Sequence, residues 1–281
     1  MARYTNIYGL PQPIVKLLES QRYSRGRADI SVTELINPPQ ITALRRAHRH
    51  EMVEDVADRF WAIMGSNIHR ILEEAADSEH IPEERLFVDV SGWVVSGQVD
   101  LQRHSDTVSI SDWKFTSVWS VMNPKPEWER QLNLYAYLVR QVRQVVVDRA
   151  TVVAMLRDWR KANGKRINDY PPAPVVQVDI PLWPFEIQEA YIKRRVELHQ
   201  EAMRTHDWTG VLPECDDDER WVRKNGAMGI RCQEDYCGVA AFCQQRAKLL
   251  SRHREEPDRD RGDILQAPVR PTRARKRKTA D

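Results

Sequence analysis

The sequence predicts an α/β fold with a mixed central sheet flanked by helices. Two observations carry that prediction. Five segments rich in β-branched and aromatic residues, 86–90, 93–102, 107–115, 150–156 and 175–180, read as strands. A long helical stretch from Pro126 to about Val147 separates the third from the fourth, and Pro184 opens another helix to about His206. A helix inserted between strands of one sheet is the order of an α/β core.

Taken in order, Pro11 and Pro13 start a short helix that runs to Ser20, followed by a basic segment, Arg22–Arg27. Residues 30–36 read as a strand or a short capped helix, stopped by Asn37-Pro38-Pro39-Gln40. Residues 41–77 read as helical, with Val53, Val56, Phe60, Ile63 and Met64 at helical spacing. Ile68, Ile71 and Leu72 are expected in the core. Gly65 stands where a helix prefers Ala, which predicts a close approach to its backbone. His69 and Glu73 are four apart and share a face. Residues 103–106 form a polar turn, and Thr116–Pro126 reads as a loop. In the helix after it, Trp128, Leu132, Tyr135, Leu138 and Val139 make one apolar stripe, with Gln131 and Tyr135 on the same side. Residues 157–174 hold Arg157, Arg160, Lys161, Lys165 and Arg166, and suit a nucleic-acid-binding arm and a solvated loop equally.

The chemistry concentrates between Gly97 and Lys114. Alternation places Val108, Ile110, Asp112 and Lys114 on one face of a strand that starts apolar and ends in charges. The turn length sets Asp100 opposite Ser111–Asp112, and cross-strand Cβ atoms lie about 5 Å apart. Two carboxylates so close repel unless a cation lies between them. Hard oxygen ligands suit Mg²⁺ or Mn²⁺. A lysine beside such an ion can hold water or neutralise charge growing on a phosphate.

The 281 residues, 41% of them hydrophobic, suffice for a real core, and no run of 18 apolar residues occurs. Nothing at the N-terminus reads as a charged-then-apolar leader. A soluble cytoplasmic protein is therefore expected. The formal net charge is only +2, yet residues 267–281 carry six basic groups against one carboxylate. A nucleic-acid surface on the body must then be local, and the tail is expected to be disordered. All four cysteines fall late, at Cys215, Cys232, Cys237 and Cys243. In a cytoplasmic protein they argue against a disulfide framework. They lack the tight pairs usual for zinc, and four thiolates can equally hold a [4Fe–4S] cluster.

Four motifs follow one another: Gly65, His69, Leu72 and Glu73 as G-x-x-x-H-x-x-L-E; Gly97 and Asp100 as G-x-x-D; Asp112 and Lys114 as D-x-K; Gln131 and Tyr135 as Q-x-x-x-Y. Together they resemble the RecB-like, CRISPR-associated-exonuclease-like branch of the PD-(D/E)XK nucleases. The resemblance spans roughly residues 30–245. It implies a restriction-endonuclease-like core at 28–206, after an N-terminal segment 1–27. A Cys-bearing C-terminal subdomain at 207–250 and a basic tail at 251–281 would follow. It further implies a Mg²⁺- or Mn²⁺-dependent deoxyribonuclease. Asp100, Asp112 and Lys114 would be catalytic. His69, Asp100, Asp112 and the Trp113 carbonyl would hold metal, with Glu73 behind them and Gln131 and Tyr135 on the DNA. Relatives use three C-terminal cysteines and one N-terminal cysteine for an iron–sulfur cluster. Here Asn37-Pro38-Pro39-Gln40 stands in the N-terminal position, which leaves Cys215 as the replacement. No Walker motif is present. The implied role is a stand-alone exonuclease of recombination, repair or phage DNA processing, acting on linear ends, single- or double-stranded. A recombinase or single-strand-binding protein is the implied partner, and no membrane is. A CRISPR-associated end-trimming nuclease and a non-catalytic DNA-binding scaffold are the alternatives.

Overall fold

The computed structural model describes residues 3–20, 26–204, 212–222, 228–232 and 236–255. The basic tail predicted at 251–281 therefore lies mostly outside the described residues, as does most of the basic segment 22–27.

The chain opens with β1 (Arg3–Thr5) and α1 (Gln12–Ser20). Next come β2 (Ile30–Ser31) and α2 (Val32–Leu35), so the segment is a strand and then a capped helix. Ser31 and Glu34 form a reciprocal capping box that starts α2. The helix predicted over 41–77 is broken. It becomes α3 (Pro39–Ala47), β3 (Val53–Asp55), a 3₁₀ turn (Val56–Arg59) and α4 (Phe60–Glu74). The cause is long-range: β3 pairs in parallel with β1, and Asp55 accepts from the Ile7 and Ala57 amides and the Thr5 hydroxyl. Ile71, expected in the core, is 56% exposed.

A hairpin follows, β4 (His80–Val90) and β5 (Trp93–His104), turned at Ser91 and Gly92 with φ +49° and +79°. Two positive φ values match the right-handed twist of the flanking strands. Then come β6 (Val108–Thr116), α5 (Val118–Met122), α6 (Pro126–Arg143), β7 (Arg149–Leu156), β8 (Val175–Ile180) and α7 (Phe185–Arg204). The predicted loop 116–126 thus contains a short helix, whose first free amide, Val118, donates to Asp158 Oδ1 at 2.8 Å. The Cys-bearing region adds α8 (Asp217–Arg220) and α9 (Gln244–Glu255).

The six-stranded sheet runs β2-β5-β6-β7-β8, with β4 also paired to β5. It is mixed: β2 with β5 and β6 with β7 are parallel, the other pairs antiparallel. The predicted apolar stripe of α6 is its buried face, with Trp128, Leu132, Tyr135, Leu138 and Val139 all in the main core. Helix α7 ties distant parts together. Its Arg195 donates to the carbonyls of Leu35 and Asn37 and pairs with Glu219 at 3.2 Å. Cys215 and Val239 pack with Ile41 and Leu44 of α3, so the Cys-bearing region is seated on the first half of the chain. Among the described residues no helix is long and apolar enough to cross a membrane.

Gly97 explains how α6 reaches the sheet. A Cβ there would lie 2.6 Å from Leu138 Cδ1 and 2.9 Å from Tyr135 Cε1. Both neighbours are buried and cannot swing into solvent. Gly97→Ala is therefore expected to destabilise the protein by roughly 1–3 kcal/mol through overpacking. Urea denaturation should read this as a lower midpoint; an unchanged midpoint would refute the close-approach account.

Candidate active site

The site begins where two strands part. β5 and β6 pair only from Leu101↔Ser111 to His104↔Val108. Beyond that register β6 continues beside β7, whereas β5 continues between β4 and, at Val95–Ser96, β2. Asp100 and Asp112 are the next residues on either side of the fork. No backbone carbonyl of β5 serves Trp113 there. Instead the Trp113 amide donates to Asp100 Oδ2 at 2.7 Å. In an extended strand a residue's N–H and C=O point to the same side, so the Trp113 carbonyl faces this gap as well.

Both carboxylates are buried, Asp100 at 6% and Asp112 at 1% exposure. Lys114 Nζ lies 2.6 Å from Asp112 Oδ2, an ion pair whose angle does not satisfy a directed hydrogen bond, and Oδ2 has none. The same ammonium donates to Gln131 Oε1 at 3.1 Å, and Gln131 Nε2 donates to the Tyr135 hydroxyl at 2.8 Å. The chain Asp112–Lys114–Gln131–Tyr135 thus joins β6 to α6. Burial pushes the Asp112 carboxyl above its ordinary range; Lys114 opposes this, and the charge of Asp100 adds to it.

His69 of α4 and Glu83 of β4 complete the cluster. His69 Nδ1 lies 3.1 Å from Glu83 Oε1 and 3.5 Å from Asp100 Oδ1. Ligand atoms of His69, Glu83 and Asp100 all lie within 4.8 Å of one another. Glu83 holds φ +49°, a left-handed conformation that is costly for a non-glycine residue. It is the one β4 position skipped by the ladder, between Pro82↔Leu101 and Glu84↔Val99, directly across from Asp100. The register is the same on both sides, so no residue is inserted; a left-handed turn of the backbone at Glu83 interrupts the ladder, and Gln98 Nε2 donates to the Glu83 carboxylate Oε2 at 2.6 Å. The sequence reading missed Glu83 because it began the strand at Leu86. An acidic pair, Glu83-Glu84, just before that apolar run was the signal available.

Two expectations fail here and one narrows. Glu73 is exposed and stands outside the cluster: His69 is turned toward β4, and one helical turn further on the chain has passed the site. Gly65 meets nothing within 4 Å of where its Cβ would be, so no other described residue packs against it there. Tyr135 is 4% exposed with its ring against Gly97. It cannot stack on a base, and instead holds Gln131 in place.

The donor set fits a hard dication. Three carboxylates face one ammonium and one imidazole, and a buried carboxylate oxygen lacks a directed hydrogen bond. Without metal the proton on His69 fills that role. Burial works against it, but Asp100 and Glu83 prevail and hold the imidazole up at about 10. The group's folded value lies above its ordinary 6.5, so its stabilising contribution is full below pH 6.5 and is lost as pH rises toward about 10. In EDTA, urea stability of the parent should fall across that window more steeply than that of His69→Ala. Equal slopes would refute the pairing.

The four cysteines also converge. All are free thiols, and all line one small cavity together with Gln40, Arg220, Arg231 and Arg246. Burial raises Cys215 and Cys232 above the usual thiol range. Gln40, from the segment that lacks the expected cysteine, reaches this cavity, and its Nε2 lies 3.1 Å from Cys243 Sγ.

Comparison with known proteins places these features. No curated protein matches the chain. Among solved structures, the crystal structure of SSO0001 is similar, with a TM-score of 0.53 and 16% identity, covering 85% of this chain and 98% of that one. At that identity the likeness speaks for the fold. The family model of the PD-(D/E)XK nuclease superfamily matches residues 32–244, from the start of α2 to the start of α9. A forked mixed sheet, two buried aspartates with a lysine two residues on, and that match together identify the chain as a member of the PD-(D/E)XK nuclease superfamily.

Proposed function

We propose that this protein is a Mg²⁺- or Mn²⁺-dependent deoxyribonuclease of the RecB-like branch, acting as an exonuclease on linear DNA in recombination, repair or phage DNA processing. The observation that carries the reading is the fork, where ligand atoms of His69, Glu83 and Asp100 lie within 4.8 Å of one another and Asp112, paired with Lys114, stands near enough to feel the charge of Asp100. Asp100, Asp112, His69 and the Trp113 carbonyl would hold the metal, with Glu83 in the place first given to Glu73. When bound, such an ion polarises the phosphate and acidifies a water.

The chain's own residues then have separable tasks. Asp100 keeps Oδ1 toward His69 because Oδ2 is held by the Trp113 amide. Asp112, buried and raised, returns fully to its carboxylate once positive charge enters the gap. Lys114 leaves Asp112 to meet the attacking water or the charge developing on the phosphate, and Gln131 keeps its ammonium aimed there. Tyr135 fixes Gln131.

The thiol cavity supports a second metal centre, a [4Fe–4S] cluster held by Cys215, Cys232, Cys237 and Cys243. Three guanidiniums against one carboxylate, Glu219, around it suit an anionic cluster. Among the described residues no three sulfurs gather within 4.8 Å of one another. A zinc tetrahedron with Zn–S near 2.3 Å would need them at roughly 3.8 Å, which disfavours zinc. Anaerobically purified protein is expected to carry iron and acid-labile sulfide, with a broad visible absorption that Cys237→Ser diminishes. Stoichiometric zinc without iron would refute the cluster.

The nuclease is tested with end-labelled linear and closed circular DNA in Mg²⁺ or EDTA. Asp112→Ala and Lys114→Ala should each slow Mg²⁺-dependent loss of linear DNA by at least about 100-fold. Gln131→Ala, one step removed, should cost roughly tenfold. Cutting of the circle at a similar rate would replace exonuclease with endonuclease. Parent and Asp112→Ala behaving alike would remove the site altogether, and DNA binding without cutting would favour a scaffold.

A further inference from the structure

Helix α4 walls one side of the gap, and it carries a feature that the metal chemistry leaves unused. Trp61 lies eight residues before His69, ~12 Å along the helix axis. It is 50% exposed. Gly65 sits midway between them with open space around it, so bare helix backbone separates the indole from the metal ligand. The Arg157 guanidinium lies 4.6 Å from the Trp61 ring centroid. Phe115, the residue after Lys114, is 6.0 Å from it, and Phe60 meets it edge-on at 5.0 Å.

This arrangement is fixed from behind. The Arg157 amide donates to the Thr116 carbonyl at 2.9 Å, which ties it to the end of β6. Its charge is uncommitted: among the described residues no carboxylate forms an ion pair with exposed Arg157. The same holds for exposed Arg160, Lys161 and Arg166 of the loop it begins. That loop is folded rather than loose, since Trp159 Nε1 donates to the Pro171 carbonyl and the Arg160 amide to the Tyr170 hydroxyl, both at 2.8 Å. The β6 and β7 strands are in parallel register through Thr116↔Leu156, so this basic loop emerges at the same end as Lys114.

A half-open indole held beside unneutralised cations, close to a phosphodiester-cutting site, matches one ligand. Bases inside a duplex already stack on one another and offer only their edges, whereas an unpaired base presents its face. We propose that Trp61 and Arg157 form a stacking platform for an unpaired base of the strand entering the site, with the loop cations on its phosphates. The inference rests on the nuclease reading and adds a preference for single-stranded ends. Gly65, with no side chain, leaves the path from platform to metal ligand open. An alternative role, a purely structural clamp of α4 onto β6, would leave base recognition untouched.

The test measures binding of the full-length protein in EDTA to three fluorescein-labelled probes: a dT oligonucleotide, an abasic backbone of equal length, and a blunt duplex. The parent should bind dT roughly 5–100-fold tighter than the abasic strand. Trp61→Ala should lose that preference, Trp61→Phe should keep most of it, and Arg157→Gln should weaken both single strands. Thermal melting checks the fold of each variant; should Trp61→Ala fail to fold, the comparison of Trp61→Phe and Arg157→Gln with the parent decides. Equal binding of dT and abasic strands by the parent would overturn the platform. So would an undiminished preference in folded Trp61→Ala, or a Trp61→Ala whose only change in sedimentation is loss of self-association. Cutting is scored separately: Mg²⁺-dependent digestion without base preference defeats the platform alone, and base preference without digestion defeats the nuclease alone.

Discussion

The hydrogen bond from the Trp113 amide to Asp100 Oδ2 holds the site open. Where β5 and β6 part, a part-buried amide of β6 loses its backbone partner, and leaving it unsatisfied would cost on the order of 1 kcal/mol. Asp100 supplies the acceptor from its side chain. The carboxylate is thereby buried and oriented at once, with one oxygen committed and the other turned toward His69. A continuous ladder would have closed the gap, and a wider one would have left Trp113 unsatisfied.

The surrounding charges follow from that opening. Two cationic side chains face the three carboxylates: Lys114 Nζ lies 2.6 Å from Asp112, and His69 Nδ1 lies 3.1 Å from Glu83 and 3.5 Å from Asp100. Both are replaceable. Were a dication held there, His69 as neutral imidazole would be a ligand, and Lys114 would be free to turn outward. Glu83 faces the gap with a left-handed backbone in the middle of a strand, a local conformational cost. Opposite, α6 comes close enough to support Lys114 because Gly97 has no side chain.

The two halves of the chain meet at α3. Ile41 and Leu44 pack against Cys215 and Val239, while Gln40 on the same helix touches Cys243. Arg195 of α7 braces the neighbouring turn through the Leu35 and Asn37 carbonyls. The thiol cavity thus sits where the C-terminal region clasps the start of the core.

Local periodicity determined much of this by itself. Val108, Ile110, Asp112 and Lys114 alternate because strand geometry has period two, so their shared face and the emergence of charge at its end were legible. The stripe of α6 and the strands at β7 and β8 were legible for the same reason, and the turn length brought Asp100 to Asp112. What stayed hidden depends on partners far along the chain. β3 left the helix predicted across it because β1, about 50 residues earlier, pairs with it. Glu83 joined the cluster because the β4 register with β5 sets it across from Asp100, and Tyr135 proved to be a buried prop because Gly97 lets its ring onto the sheet. Sequence alone determined which side chains share a face on each element. The tertiary structure decided which of them meet, because backbone pairing between distant segments, and not local propensity, fixes where the strands part.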